Sequence, residues 1–252
     1  MKFKEKLTLT EEPLIGSFIK TPSSQPIEIL ASVGFDFVVV DAEHAPFDFN
    51  DMEKSILAAR ASHITPIVRI AELSESLIQH ALDSGAEGII VPHIDSKEKA
   101  EKLVTYSKYA FGRGFSNSSR AGDFGRISMW EHIKEIDSKV ITIAMIEDEK
   151  GIQNLNDILS VDGIDAVFIG RADLCVSLNE TSANSENIQK LTESIIEKAK
   201  SSQKSIFIFS NDADEIQKYF KCGVKAYIAN SDQGFLRIGA QHFLNQLVKD
   251  KD

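Results

Sequence analysis

Short runs of consecutive apolar residues alternate along this chain with longer stretches in which apolar positions recur every three or four residues. The runs predict strands at Leu14–Ile19, Phe35–Asp41, Pro66–Ile70, Gly88–Pro92, Val140–Glu147, Ala166–Gly170, Ile206–Ser210 and Ala226–Ala229. The longer stretches predict helices over Gln25–Val33, Asp51–Ser62, Ser74–Ser84, Ser96–Tyr109, Lys150–Ser160, Asn187–Ser202, Ala213–Cys222 and Gln233–Val248. Runs such as "FVVV" and "GIIV" are apolar at successive positions, so both faces of those strands are buried, as in a parallel sheet covered by helices.

Eight strand–helix units in 252 residues predict an α/β fold closed as a (β/α)8 TIM barrel, one domain over residues 1–252 with no linker to divide it. An open doubly wound sheet competes poorly, because "IGSFIKTPSSQ" does not spell the G-x-G-x-x-G of a dinucleotide site. One connection is long: "YAFGRGFSNSSRAGDFGR", Tyr109 to Arg126, is rich in Gly, Ser and Arg. We expect loop 109–127 to hang over the barrel mouth as a lid.

Composition narrows the partners. The net charge of -10, with no block of Lys or Arg, argues against nucleic acid and anionic membrane surfaces. The charged N-terminus lacks the apolar run of a secretory signal, and no segment approaches a membrane span. Cys175 and Cys222 have no CxxC spacing, so we expect two free thiols in a cytoplasmic protein.

In such a barrel the chemistry gathers where strands end. Asp41, Glu43 and His44 follow the second strand, Arg69 ends the third, His93 follows the fourth, Glu147 ends the fifth, and Arg171 and Asp173 follow the sixth. A lone carboxylate there is often a helix cap, as Asp51 and Asp212 are expected to be. Arg69 differs, because an arginine behind a buried strand needs an anion beside it. Glu147 and Asp173 offer two hard oxygen ligands, the habit of Mg2+ or Mn2+ sites that leave the remaining positions to water and substrate. His44 is the natural proton carrier, with Asp41 orienting it or raising its basicity, and Arg69 is suited to an oxyanion. Metal, base and arginine together suit enolate chemistry on a 2-oxo acid. His63, His80, His132 and His242 fall in or beside helical patterns and read as surface.

The stretches "FDFVVVDAEHAP", "PIVRI", "GAEGIIVPHI", "MIEDEKGIQNLNDILSVDGIDAVFIGRADL" and "SDQGFLR" resemble, in order from Ile15 to Leu244, the HpcH/HpaI family of metal-dependent class II pyruvate aldolases. The resemblance implies a barrel of the phosphoenolpyruvate/pyruvate-binding type. It implies a homo-oligomer, usually a hexamer, a trimer of dimers with swapped C-terminal helices. It also implies reversible cleavage of a 4-hydroxy-2-oxo acid to pyruvate and an aldehyde, through an enolate stabilised by Mg2+, Mn2+ or Co2+. Carried over by motif, Glu147 and Asp173 match the metal ligands, His44 with Asp41 the base, and Arg69 the residue on the pyruvate C2 oxygen. Gly170 and the backbone N–H groups of Ala172 and Asp173 match the carboxylate cradle. Three positions depart from the family pattern: Met145 stands for a Gln, Arg171 for a Pro and Cys175 for a Ser. Arg120, Arg171 and Met145 are therefore expected to set specificity, with Arg113 and Arg126 also near the lid, for an anionic or sugar-derived aldehyde. An acyl-CoA lyase resembling the citrate lyase β subunit, and a barrel that has lost catalysis and serves as a binding or assembly subunit, are the alternatives. The D-x-E-H element favours the aldolase.

Overall fold

The computed structural model describes residues 1–248. Strands β1 (Leu14–Ile19), β2 (Phe37–Asp41), β3 (Thr65–Arg69), β4 (Gly88–Val91), β5 (Ile141–Ile146), β6 (Ala166–Ile169), β7 (Ser205–Phe209) and β8 (Ala226–Ser231) close into a parallel barrel in sequence order. The helices are α1 (Phe3–Leu9), α2 (Gln25–Ser32), α3 (Phe49–Ala61), α4 (Glu75–Asp83), α5 (Lys97–Ser107), α6 (Met129–Lys139), α7 (Glu149–Gln153), α8 (Leu155–Leu159), α9 (Arg171–Ser177), α10 (Glu186–Ser201), α11 (Ala213–Cys222) and α12 (Asp232–Val248). The predicted stretch Lys150–Ser160 is two short helices that meet at Asn154.

Alternation within each strand sorts its side chains into two cores. Phe18, Phe37, Val39, Ile67, Ile143, Met145, Phe168 and Phe207 fill the barrel, while Val40, Val68, Ile89, Ile146, Val167 and Ile208 pack outward beneath the helices. The N-terminal end of the barrel is closed by α1, whose Phe3 and Leu7 lie one turn apart on one face. The Phe3 ring sits 5.2 Å from that of Phe37. Each such buried side chain contributes about 1.5–3 kcal/mol.

The long segment is not a lid. It follows α5, which returns the chain to the N-terminal face about 16 Å from the mouth. Arg113 bonds Asp83 at the end of α4 and stacks on Tyr109, and Arg120 bonds Glu53 on the outer flank at 2.7 Å. No residue of 109–127 lines the mouth cavity. His132, expected at the surface, is buried on α6 and shares a 3.0 Å hydrogen bond with the Tyr109 hydroxyl. Asp48 rather than Asp51 caps α3, accepting the Asp51 N–H, whereas Asp212 caps α11 as expected. Among the described residues no helix is long and apolar enough to cross a membrane.

Candidate active site

The strands β2 and β3 run side by side with Asp41 opposite Arg69. Both end long apolar runs, so their charged termini are carried inside: Asp41 is fully buried and Arg69 is 5% exposed. The guanidinium grips the carboxylate from two points, Nε to Oδ1 at 3.0 Å and Nη2 to Oδ2 at 2.9 Å. Lys20, just past β1, adds its ammonium 2.9 Å from Oδ2. Burial pushes the Asp41 carboxyl up, but Arg69 and Lys20 outweigh it and hold the group below its ordinary value.

Asp41 meets His44 only through the His44 backbone N–H, at 3.2 Å, and not through the imidazole as expected. The turn from Asp41 to His44 is closed by that bond, which aims the ring away from the carboxylate. The acid beside the ring is Glu43, whose Oε2 lies 3.7 Å from His44 Nε2 and 3.2 Å from Arg69 Nε. The Nε proton is already directed at Asp41, so Glu43 Oε2 is buried without a donor. Burial raises the Glu43 carboxyl above its ordinary range, against the pull of Arg69 and His44. The His44 side chain itself is 57% exposed.

On the opposite side, Glu147 follows β5 and is almost fully buried. Gly170 follows β6 beside it, and a Cβ at Gly170 would stand 2.8 Å from both the Glu147 Cβ and the Met145 Cε. His93 donates its backbone N–H to Glu147 Oε1 at 2.7 Å and places its ring Nδ1 3.3 Å from the same oxygen. That residue holds a left-handed backbone, φ 53°, a strained conformation of the kind that collects at functional sites. Burial pushes the Glu147 carboxyl up; the His93 N–H and ring offset part of this, and the charges of Asp173 and Glu43 add to it. Among the described residues, neither Glu147 nor Asp173 pairs with a lysine or arginine, and no cluster of three or more acidic, His or Cys side chains is arranged to hold a metal by itself.

A cavity of about 850 Å³ opens between these two sides. Phe18, Lys20, Arg69, Met145, Gly170 and Asp173 border it, as do Asn184, Asn211 and Asn230, whereas Glu43, His44 and Glu147 do not. Ala172 and Asp173 also border it, on the first turn of α9, where backbone N–H groups have no intrahelical acceptor. Two expected specificity residues are otherwise engaged. Arg171 reaches both oxygens of Glu215, at 2.5 and 2.8 Å, and the Phe209 carbonyl, while Arg120 lies on the outer flank with Glu53. Arg126 pairs with Asp123 away from the cavity. Met145 does border it. Lys20 and the role of Glu43 escape a reading of the sequence. The available signal for Lys20 is its spacing two residues after Phe18, which puts both side chains on one face of the extended chain.

The HpcH/HpaI aldolase/citrate lyase family model matches residues 14–237. The chain is 28% identical to the 5-keto-4-deoxy-D-glucarate aldolase of Enterobacter sp. (strain 638), over 98% of this chain and 97% of that one. A crystal structure of an HpcH/HpaI aldolase/citrate lyase family protein from Burkholderia cenocepacia J2315 superposes with a TM-score of 0.90 at 26% identity, covering 97% of this chain and 98% of the other. The citrate synthase SbnG superposes with a TM-score of 0.88 at 29% identity, covering 99% of each chain. The protein belongs to the HpcH/HpaI aldolase/citrate lyase family and is a carbon–carbon lyase of the class II aldolase type.

Proposed function

We propose that this aldolase cleaves a 4-hydroxy-2-oxo acid reversibly to pyruvate and an aldehyde, with a divalent metal held by Glu147 and Asp173. The supporting observation is a buried arginine and Asp173 on one cavity, with the buried Glu147 beside Gly170 on its wall, and neither carboxylate paired with a lysine or arginine among the described residues. The chemistry of the donors fits a hard cation: Glu147 and Asp173 offer carboxylate oxygens that no lysine or arginine neutralises among the described residues, and the rest of the shell falls to water and substrate. Mg2+, Mn2+ or Co2+ meets that description. When bound, such an ion supplies Lewis acidity toward the 2-oxo group.

The protein groups do the rest. Arg69 keeps its Nη1 donors free, since Nε and Nη2 are committed to Asp41, and they face the charge that develops on the C2 oxygen. The N–H groups of Ala172 and Asp173, above the bare Gly170, receive the pyruvate carboxylate. His44 removes the C4 hydroxyl proton, and Glu43 stabilises the imidazolium that forms. Cleavage of the C3–C4 bond then releases the aldehyde and leaves the pyruvate enolate, and return of the proton from His44 to C3 gives pyruvate and resets the base.

The working unit in this reading contains further copies of the chain. Helix α12 buries none of its residues, and Leu236, Phe243 and Leu247 are 75%, 62% and 57% exposed, an apolar surface suited to a second copy. The free thiols of Cys175 and Cys222 support a reducing, cytoplasmic setting. The test is exchange of pyruvate methyl protons in D2O. Exchange that needs Mg2+, Mn2+ or Co2+ and stops with EDTA is expected; no exchange with any of the three would overturn the reading.

A further inference from the structure

Arg69 meets two acids at the ends of β2 and β3: Asp41, gripped by Nε and Nη2, and Glu43, whose Oε2 lies 3.2 Å from Nε. One guanidinium against two ionised carboxylates leaves that corner of the barrel negative. A 2-oxo acid adds its own carboxylate, and enolate formation gathers further negative charge on the C2 oxygen. Such a corner would repel the charge that the reaction creates. Lys20 supplies the missing cation, with its ammonium 2.9 Å from Asp41 Oδ2 and its side chain bordering the mouth cavity. Arg171 also borders the cavity but is spent on Glu215 and the Phe209 carbonyl.

The buried Asp41 is shared between the two cations. Its Oδ1 accepts from Arg69 Nε and the His44 backbone N–H, and its Oδ2 from Arg69 Nη2 and faces Lys20 Nζ. Because Lys20 draws on the same carboxylate, Asp41 does not cancel the arginine alone. Both cations also lie over the Phe18 ring, Arg69 Cζ at 4.6 Å and Lys20 Nζ at 5.9 Å from its centroid. The main chain at Lys20 is fixed as well. The N–H groups of Lys20 and Thr21 donate to the two oxygens of Asp232, at 2.8 and 3.0 Å, and Gln233 donates to the Lys20 carbonyl. Tied at both ends, the ammonium is in place before substrate arrives and needs no rearrangement during the reaction.

We propose that Lys20 is a positioning residue for enolate formation: by sharing Asp41 it leaves Arg69 a net attraction for the negative charge that develops on the C2 oxygen. The inference rests on the aldolase reading. It puts Lys20 in the step common to every turnover, exchange of a pyruvate methyl proton, whatever aldehyde follows. Its loss should therefore appear in the rate of that step, with pyruvate itself bound nearly as before.

The experiment compares wild type with Lys20→Met, Lys20→Gln and Lys20→Arg, each at saturation with the most active of Mg2+, Mn2+ and Co2+. Proton exchange of pyruvate in D2O gives kcat and KM, and calorimetric titration gives affinities for pyruvate and for oxalate, a planar dianion shaped like the enolate. Lys20→Met should lower kcat for exchange by about 10–100-fold, less than the loss of an oxyanion donor outright, while KM moves little. Oxalate should lose at least about tenfold more affinity than pyruvate does, because only the enolate-like dianion uses the extra charge. Lys20→Gln, which keeps a donor for Asp41 without the charge, should behave like Lys20→Met, and Lys20→Arg should restore both readouts. Wild-type kcat in Lys20→Met or Lys20→Gln, or equal losses of oxalate and pyruvate affinity, overturns the inference and leaves the aldolase reading standing. Absence of exchange in wild type overturns both.

Discussion

Arg69 holds Asp41 by a two-pronged contact, Nε to Oδ1 at 3.0 Å and Nη2 to Oδ2 at 2.9 Å, with the carboxylate wholly shielded from water. Adjacent parallel strands bring the two residues to the same level, so the contact is built into the register of the barrel. Arg69→Lys keeps a positive charge but loses the planar fork that fits the carboxylate while leaving donors free for substrate. We expect kcat/KM to fall about 10²–10³-fold, the usual cost of removing an oxyanion donor. Asp41→Ala leaves Arg69 and Lys20 facing each other without their shared anion, and urea unfolding should show a loss of about 3–5 kcal/mol. Wild-type kcat/KM in Arg69→Lys would show that the guanidinium only supports the fold.

His44 is set apart by exposure. Its side chain is 57% exposed and touches the protein mainly through Glu43, so the fold depends on it little. His44→Ala should lower kcat by about 10²–10⁴-fold, in the range of general acid–base contributions, while the urea midpoint stays near that of wild type. Glu43→Gln should lower kcat less, since the ring remains but loses the charge beside it. Steady-state kinetics alongside unfolding curves decide this, and a His44→Ala enzyme with normal turnover would remove the imidazole from the reaction.

Gly170 matters for what it lacks. A methyl group there would meet the Cβ of Glu147 and the Cε of Met145 at 2.8 Å, closer than real Cβ contacts come. The Gly170 backbone, φ −82°, is open to alanine, so the substitution should leave the barrel folded while pushing the Glu147 side chain aside. If Glu147 holds the proposed metal, disturbing what positions it should cost about 10–100-fold in metal affinity, the usual effect of losing a group that orients a ligand. Calorimetric titration of Gly170→Ala with Mn2+ should show a loss in that range, with activity recovering at high metal concentration. Unchanged affinity would place the metal elsewhere.

Much of this was open to inspection in the chain, because a barrel strand with both faces buried announces itself as an unbroken apolar run. The charges behind those runs single out Asp41, Arg69, Glu147 and Asp173 at or just past the ends of their strands, where a charge can find the partners that an apolar strand interior does not offer. Other features depend on contacts between distant segments. Arg171 looks free until Glu215 on α11 is brought beside it, and Arg120 until Glu53 on α3 is. Lys20 reads as an ordinary surface lysine because nothing local tells of Asp41 across the barrel or of Asp232 at the far end of the chain. The helix α1 hides its two buried residues among Lys and Glu, and α6 stands beside a Gly- and Ser-rich segment that masks it. The lid expectation failed on direction: a segment that follows a helix starts at the N-terminal face, opposite the chemistry.

That opposite face has its own buried charges, which make stability depend on pH. Asp165 receives Lys4 Nζ at 2.6 Å and Lys108 Nζ at 2.7 Å, and accepts the Thr142 backbone N–H at 3.0 Å. Burial pushes its carboxyl up, but Lys108 and Lys4 outweigh that and hold it below the ordinary value. A carboxyl depressed in the folded state binds its proton more readily when unfolded, so its contribution is complete above the unfolded value, about 3.9, and is lost as pH falls through the lower folded value. In Asp165→Asn the Lys108 side chain, 5% exposed, loses its charged partner, and near neutral pH the cost should be about 3–5 kcal/mol. The gap between wild type and variant should hold steady from about pH 7 to about pH 5 and narrow once the pH drops below about 4, where the unfolded wild type takes up a proton that its folded state still excludes. Urea unfolding across that range measures it, and a gap still undiminished at about pH 3 would mean that the Asp165 charge does not carry the stability of this end of the barrel.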